Sequence, residues 1–501
     1  MIRVPSLGVG IVYTPGLESV LRDGTDLAQV VEIEPETIWI AGQAATQHES
    51  RHRVEPSFER IVRDLPQTKL IHGVGYPVGG TKPVADTDVD DLQRMVESFR
   101  APWASEHLSF NQIGAHDASF RTGFLLPPRQ TLAGADAAIA SIRKCAARLS
   151  VPFAIETGVN YLTPRYDELP DGDFVARVAE GADCGILLDL HNIWANERNG
   201  RQSVADYVAA LPPERVWEIH LAGGSEHRGF WLDSHAGGVP NELIALAREV
   251  ISGLPNVCAI VFEATSLDVA TLGDDALRRE LERLAELWQI RGRATRNVAR
   301  AKPMPATVSE RTPAPVEWEE TLGTLVLGRS VGTALGTELE ADEGVALLRE
   351  LVAEFRAGMA VNALRLSSRF LMLTLGPDAY RDLLARFWQT AAPELMTATE
   401  GLRLADFLAV EAPALPFLAD LIAFERDVLL TIATDRTRIA RFSYDPVPVV
   451  RALARGELPN PALVARGPYE IELLSDGAPA TGVLLTGDDA LAAPHSALPR
   501  S

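Results

Sequence analysis

Over residues 1 to about 292, short apolar runs alternate with longer amphipathic segments. The runs are Leu7–Val12, Thr37–Ala41, Lys69–Val74, Trp103–Glu106, Phe153–Glu156, Cys184–Asp189, Val216–His220 and Cys258–Glu263. Their near-continuous apolar character and short length predict strands buried on both faces. Between them, Asp88–Phe99, Ala135–Leu149, Gln202–Leu211, Asn241–Ser252 and Asp274–Trp288 carry apolar residues at helical spacing. Eight strands alternating with helices predict an α/β fold, a TIM-like (β/α)8 barrel. A doubly wound sheet is the alternative, but no GxGxxG follows the first run, so a dinucleotide fold has little support.

The pattern changes after residue 292. Residues 293–317 hold Pro303, Pro305, Pro313 and Pro315 with an excess of Arg and Lys, which predicts an extended, solvated linker. Gly344–Ala357, Val361–Leu375, Pro377–Gln389, Leu402–Ala409 and Leu415–Ile432 are apolar at helical spacing. Tyr469–Leu474 and Gly482–Leu485, around Ser475-Asp476-Gly477, predict a hairpin. A tail over 488–501, rich in Ala, Pro and Ser, is expected to be disordered. The second domain, 318–487, is therefore mainly helical with a small β region. It has no cluster of His, Asp and Glu and reads as a binding module.

Composition narrows the function. The chain has 501 residues and a formal net charge of −21, which argues against nucleic acid as a partner. No apolar run approaches the ~18 residues of a membrane helix. Cys145, Cys184 and Cys258 are scattered, which fits a reducing, cytoplasmic setting and neither a disulfide framework nor a CxxC zinc site.

The chemistry sits at the carboxyl ends of the strands. Nine of the ten histidines lie between His48 and His235. A barrel opens all its strand carboxyl ends onto one face, so residues distant in sequence converge there. His72 (LIHGVG), His107 (SEHLSF), Glu156 (FAIET), Asp189 with Asn192 (LLDLHN), His220 (WEIHLAGG), Asp233 with His235 (LDSHAGG) and Glu263 (VFEAT) would meet at that mouth. Taken singly, each has a bland reading: a satisfied structural histidine, a helix cap at Asp189, or a carboxylate paired with arginine. Coincidence at six successive strand ends is a much poorer account. Closely packed carboxylates repel unless cations lie among them or several protonate. Imidazole mixed with carboxylate suits iron, manganese or zinc, and nine donors exceed one ion's needs, so two or three ions are expected. His48, His52, His116 and His227 read as surface or loop residues, and His191 as a neighbour of the ligands. Trp194 and Asn196 read as packing beneath the site.

At these residues the chain resembles the multinuclear non-heme iron-dependent oxidative enzymes, which include the methanobactin biosynthesis oxidase. The matching motifs are HGVG, SEHLSF, Leu125–Pro127, ETGVNY, LLDLHN, HLAGG, DSH and FEA, in the family's order over roughly residues 7 to 290. There are departures: ETG and DLHN replace the usual ENP-like and DVNN motifs, and GVGIVYTP lacks the usual arginine. The resemblance implies a TIM-like barrel with two or three irons held by His72, His107, Glu156, Asp189, Asn192, His220, Asp233, His235 and Glu263. It implies oxidation of a ribosomally made precursor peptide with dioxygen as co-substrate, at cysteine, with Asp189, His220 and Glu263 at the catalytic centre. Residues 319–487 are similar, more weakly, to the partner proteins that hold the peptide's leader, so a separate partner would be unnecessary. A divalent-metal sugar isomerase or phosphodiesterase on a similar barrel is the alternative. A non-catalytic metal- or peptide-binding scaffold is a further one.

Overall fold

A computed structural model describes residues 3–23, 26–41, 52–114, 120–293 and 312–474. The chain forms two compact units, residues 1–38 with 61–351 and residues 39–60 with 352–501.

The first unit is a closed parallel barrel. Its strands are β1 (Gly8–Val12), β2 (Val30–Ile33), β3 (Thr68–Gly73), β4 (Ala104–His107), β5 (Phe153–Glu156), β6 (Gly185–Asp189), β7 (Val216–Ala222) and β8 (Ala259–Glu263). They close in the order β1-β8-β7-β6-β5-β4-β3-β2. Seven match the expected runs closely, and the helix Asn241–Ser252 matches in full.

The second strand differs. Thr37–Ala41 is not in the barrel: Pro35–Ile38 is helical, and Trp39–Ala41 pairs antiparallel with His52–Val54 in the other unit. Its place is taken by Val30–Ile33, whose fully buried Glu32 interrupts the apolar run and disguises it. Two further antiparallel pairs lie in the loops after β4 and β7: Phe110–Ile113 with Phe120–Leu126, and Ser225–His227 with Phe230–Leu232.

Register builds the mouth. Parallel pairing sets His72 beside Ser105, His107 beside Glu156, and Asp189 beside His220. It also sets Ala222 beside Glu263. Chemically reactive side chains thus share one level of the barrel because every strand ends there.

Residues 315–351 belong to this unit as well, so the expected boundary at 317/318 lies within it. The helix Pro315–Val326 buries Trp318, whose indole N–H donates to Pro127 O at 3.1 Å. The guanidinium groups of Arg129 and Arg165 lie 4.7 and 4.9 Å from the centre of that ring. Glu319 accepts from Thr81 N–H at 2.8 Å. Asp342 accepts from Thr163 N–H at 3.1 Å, and Glu350 pairs with Arg228 at 3.2 Å. Thr81, Pro127, Thr163 and Arg228 sit in the loops after β3, β4, β5 and β7, all on the face that carries the strand ends.

The second unit packs the helices Arg365–Leu375, Pro377–Thr390, Thr397–Glu411, Leu418–Thr434 and Pro446–Ala454 around one apolar core. Arg466–Leu473 pairs antiparallel with Arg438–Tyr444. The expected partner, Gly482–Leu485, its turn and the tail lie outside the described residues, as does most of the expected linker. Among the described residues, no helix is long and apolar enough to cross a membrane. All three cysteines are free and buried.

Trp318→Ala removes a large side chain from a closed pocket and is expected to destabilise the first unit by about 3–5 kcal/mol. The change is read as a lower urea midpoint by circular dichroism. An unchanged midpoint would remove Pro315–Val326 from that unit's core.

Candidate metal centre

Three strand ends make the first donor set. Glu156 Oε2 lies 3.1 Å from His72 Nε2 and 2.7 Å from His107 Nε2. The two rings are tilted, with centres 4.8 Å apart. His107 Nδ1 lies 3.1 Å from Gly73 O, an acceptor only, so one proton sits on Nδ1 and Nε2 is the nitrogen turned to Glu156. His72 Nδ1 is held by Ser105 Oγ at 2.9 Å.

The second set shares Glu156. Its Oε1 lies 3.8 Å from His220 Nδ1, which is 3.0 Å from Glu263 Oε1. Asp189 completes the group, and all four residues are buried. Asp189 does cap the following helix: its Oδ1 accepts from Asn192 N–H at 2.9 Å. Its Oδ2 has no hydrogen-bond partner, so the capping and ligand readings are compatible.

The third group is a pair. Asp233 Oδ1 lies 3.0 Å from His235 Nε2, which also reaches Glu263 Oε2 at 3.4 Å. Asn192 donates to Thr157 O at 3.3 Å, which leaves its Oδ1 without a partner. His235 has φ 49°, a left-handed conformation rare for residues with a Cβ and common at functional sites. The two glycines of HLAGG allow this loop to approach. A Cβ on Gly223 would stand 2.1 Å from Ala236 O, and one on Gly224 would stand 2.5 Å from His191 Nε2. His191 is fully buried with Nδ1 3.4 Å from Asp233 Oδ1, and Trp231 Nε1–H donates to its Nε2 at 3.0 Å.

The nine expected residues therefore occupy one mouth: two donor sets sharing Glu156, and the Asp233–His235 pair joined to them through Glu263. Asn192 is tied to Asp189. His227 is half-buried against Glu350 and His52 stacks on Trp39, while His48 and His116 lie outside the described residues. Trp194 stacks edge-on against Trp231, and Asn196 accepts from Asn160 N–H.

The electrostatics suit cations. Burial pushes Glu156 up, but His107 and His72 more than offset this and hold it well below the usual carboxylate range. Burial, then Glu263 and Asp233, push Asp189 well above that range. Burial alone would depress His107, His220 and His235, yet their carboxylate neighbours hold each well above the ordinary imidazole value. Glu156 Oε2, Asp189 Oδ2, Asn192 Oδ1, His220 Nδ1, Asp233 Oδ1 and Glu263 Oε2 are buried without an aligned hydrogen bond. Orphaned oxygens and nitrogens of this kind fit divalent transition metals, with no thiolate among the donors.

Two buried carboxylates escaped the sequence reading. Glu32 and Glu218 lie inside the barrel with His220, and Trp103 Nε1–H donates to Glu218 at 2.8 Å. The available signal was a charge within a run buried on both faces, as in VVEI and VWEI, since such a charge must have a partner.

The profile of the family described as RiPP precursor modification enzyme MbnB/TglH/ChrH matches residues 8–288. A UPF0276 protein of Anaeromyxobacter is 29% identical over 237 residues, 47% of this chain and 81% of that protein. A UPF0276 protein of Chromobacterium violaceum is 31% identical over 211 residues, 42% of this chain and 75% of that protein. Among solved structures, D-psicose 3-epimerase of Clostridium cellulolyticum H10 covers 56% of this chain and 98% of its own, at 10% identity and a TM-score of 0.35.

Metal loading must displace the protons that the raised His107, His220, His235 and Asp189 carry. Affinity for a divalent transition metal is thus expected to go on rising with pH above the ordinary imidazole range, and to fall as acid restores those protons. Calorimetry in two buffers of different ionisation enthalpy reads the released protons. Equal heats in both would contradict the proton load.

Proposed function

Since this chain belongs to the MbnB/TglH/ChrH family of RiPP precursor modification enzymes, we propose that it oxidises a precursor peptide at cysteine using two or three irons and dioxygen, with the peptide's leader held by the second unit. The observation that carries this reading is the sharing of Glu156, which turns Oε2 to His72 and His107 and Oε1 to His220. A carboxylate whose two oxygens face separate donor sets would suit more than one cation.

In this reading His72, His107 and Glu156 would hold one iron, and Glu156, Asp189, His220 and Glu263 a second. Asn192, Asp233 and His235 serve a third. Bound iron supplies the one-electron chemistry and the dioxygen reactivity that no side chain offers. The chain's own residues set position and access. Gly73 O and Ser105 orient His107 and His72 from behind. Asp189 ties its strand end to the helix that carries Asn192. The exposure gradient marks the side of entry: His235 is 29% exposed, Asp233 20% and His107 15%, against at most 4% for His72, Glu156, His220 and Glu263. A peptide thiol arriving at His235 meets the mouth at its most open point. The protein's own thiols do not compete, since burial pushes those of Cys145 and Cys184 up to about 12.

The second unit supports the leader-binding role by its separate core and its lack of a comparable donor cluster among the described residues. Having capture and chemistry in one chain would remove the need for a separate partner protein.

His220→Ala and Asp189→Ala are each expected to lose bound iron and peptide-dependent oxygen uptake while the second unit keeps its helical signal. Full iron content in both variants would end the ligand assignment. Co-expression with a cysteine-containing peptide encoded nearby should give a mass change that needs iron and oxygen. An unaltered mass with iron-loaded enzyme and bound peptide would exclude the oxidase reading. A chain ending after Ala363 is expected to load iron normally but to bind the full precursor about 100-fold more weakly. Equal affinity would remove the leader-binding role.

A further inference from the structure

Two loops that leave the mouth enclose a pocket outside the donor set. One follows β3, and the other is the antiparallel pair after β4, Phe110–Ile113 with Phe120–Leu126. Backbone bonds stitch them together: Val78 N–H donates to His107 O at 3.1 Å and Gly79 N–H to Ser109 O at 2.8 Å. Gly80 allows the closest approach, since a Cβ there would stand 2.9 Å from that of Phe110. Lys82, Arg121, Asn111, Tyr76 and Phe110 are in the lining.

The two cations are the unusual feature. Arg121 directs one terminal nitrogen to neutral acceptors, Gly75 O at 3.0 Å and Asn111 Oδ1 at 3.5 Å, and its guanidinium lies 5.0 Å from the centre of the Tyr76 ring. Among the described residues its Nε–H and its other NH2 group meet no acceptor, and Lys82 has neither a hydrogen bond nor an ion pair. Asp88 is the acidic residue of the lining and forms an ion pair with neither cation. Like charges sharing a half-buried place repel. Burial, then the neighbouring Arg121, pushes the Lys82 ammonium below its usual value. The chain carries a net charge of −21, yet none of the described carboxylates answers this pair.

We propose that this pocket binds a carboxylate of the peptide substrate, with the Arg121 fork and the Lys82 ammonium as its cationic walls. That the carboxylate belongs to a peptide rests on the peptide-modifying reading; that the pocket takes a carboxylate does not.

The donors left over fit that ligand. Nε–H and the adjacent NH2 form one edge of a guanidinium, which matches the two oxygens of a carboxylate. Lys82 adds a point charge that demands no fixed angle. The Tyr76 and Phe110 rings give the carbon stem of an acidic side chain or a chain terminus an apolar flank. The location suits an anchor as well. Both loops start at strand ends that carry donors, His72 on β3 and His107 on β4, and one of them bonds directly to the His107 carbonyl. A charge held here fixes the register of the peptide without occupying the metal centre.

The test uses full-length protein and four probes at low ionic strength. N-acetylaspartic acid α-amide carries only a side-chain carboxylate, N-acetylasparagine only a terminal one, and N-acetylasparagine amide neither. Inorganic phosphate is the fourth. Binding is titrated for the unaltered protein, K82Q and R121Q, by saturation-transfer NMR for the organic probes and by phosphorus line width for phosphate. One of the acids should bind at least about 10-fold more tightly than the neutral amide, and each substitution should remove most of that difference, as loss of a charge-assisted hydrogen bond does. The better-bound acid assigns the carboxylate to a side chain or to a chain terminus. Lys82 makes no bond among the described residues, so K82Q decides the matter even where R121Q, which also releases Gly75 O, proves unstable by circular dichroism. The proposal is overturned if neither acid outbinds the amide, if the preference is unchanged in K82Q, or if phosphate alone binds and is lost in the variants. A carboxylate site that passes, in an enzyme that leaves every cysteine peptide unaltered, would retire the oxidase reading and keep the pocket.

Discussion

A carboxylate cannot be buried alone, and most of the barrel's mouth follows from that. Glu32, Glu156, Asp189, Glu218 and Glu263 all lie in or beside the barrel interior with almost no exposure. In a dry interior each needs an opposite charge, a proton or aimed hydrogen bonds. The chain answers with imidazoles from β3, β4 and β7 and the loop after β7, placed one beside another by parallel register. Such an arrangement is poor as a device for stability, because apolar side chains of similar volume would fill the barrel at lower cost. Its retention makes sense as a place for cations, whose charge resolves the repulsion that the side chains alone only moderate.

Much of this was legible in the sequence because strand ends repeat. A buried strand reads as an apolar run, and a polar residue closing it stands out, as Asp189 does after Leu187 and Leu188. The same rule explains what was missed. In VVEI the glutamate lies within the strand rather than at its end, so the run looks broken and the nearby TIWIA looks like the better strand. Trp39–Ala41 is a strand, but its partner is His52–Val54, and no local pattern distinguishes a barrel strand from a hairpin strand. The pairing of Arg466–Leu473 with Arg438–Tyr444 was hidden likewise, by an intervening helix rather than a turn. Distances between donors, and the sharing of Glu156, are tertiary facts that spacing along a chain does not carry.

His191 shows how a departure in sequence can be absorbed locally. It stands where the motif that LLDLHN resembles, DVNN, has asparagine, and its ring is fully enclosed between Trp231 and Asp233. Trp231 only donates, so His191 Nε2 must accept, and Nδ1 lies on the Asp233 side of the ring. Gly224 leaves room for the ring, since a Cβ there would stand 2.5 Å from Nε2.

The segment 315–351 has a consequence for how the chain is divided. The family profile ends at residue 288, yet Trp318, Glu319, Asp342 and Glu350 complete hydrogen bonds and ion pairs for loops that surround the donors. The barrel's open face therefore depends on residues that lie beyond the matched region. Barrel and appendage are not separable parts: transplanting the profile region alone would leave Pro127 O and the backbone amides of Thr81 and Thr163 looking for water. The structural module is longer than the recognisable motif, and a graft cut at the motif's edge would strip its loops of their cover.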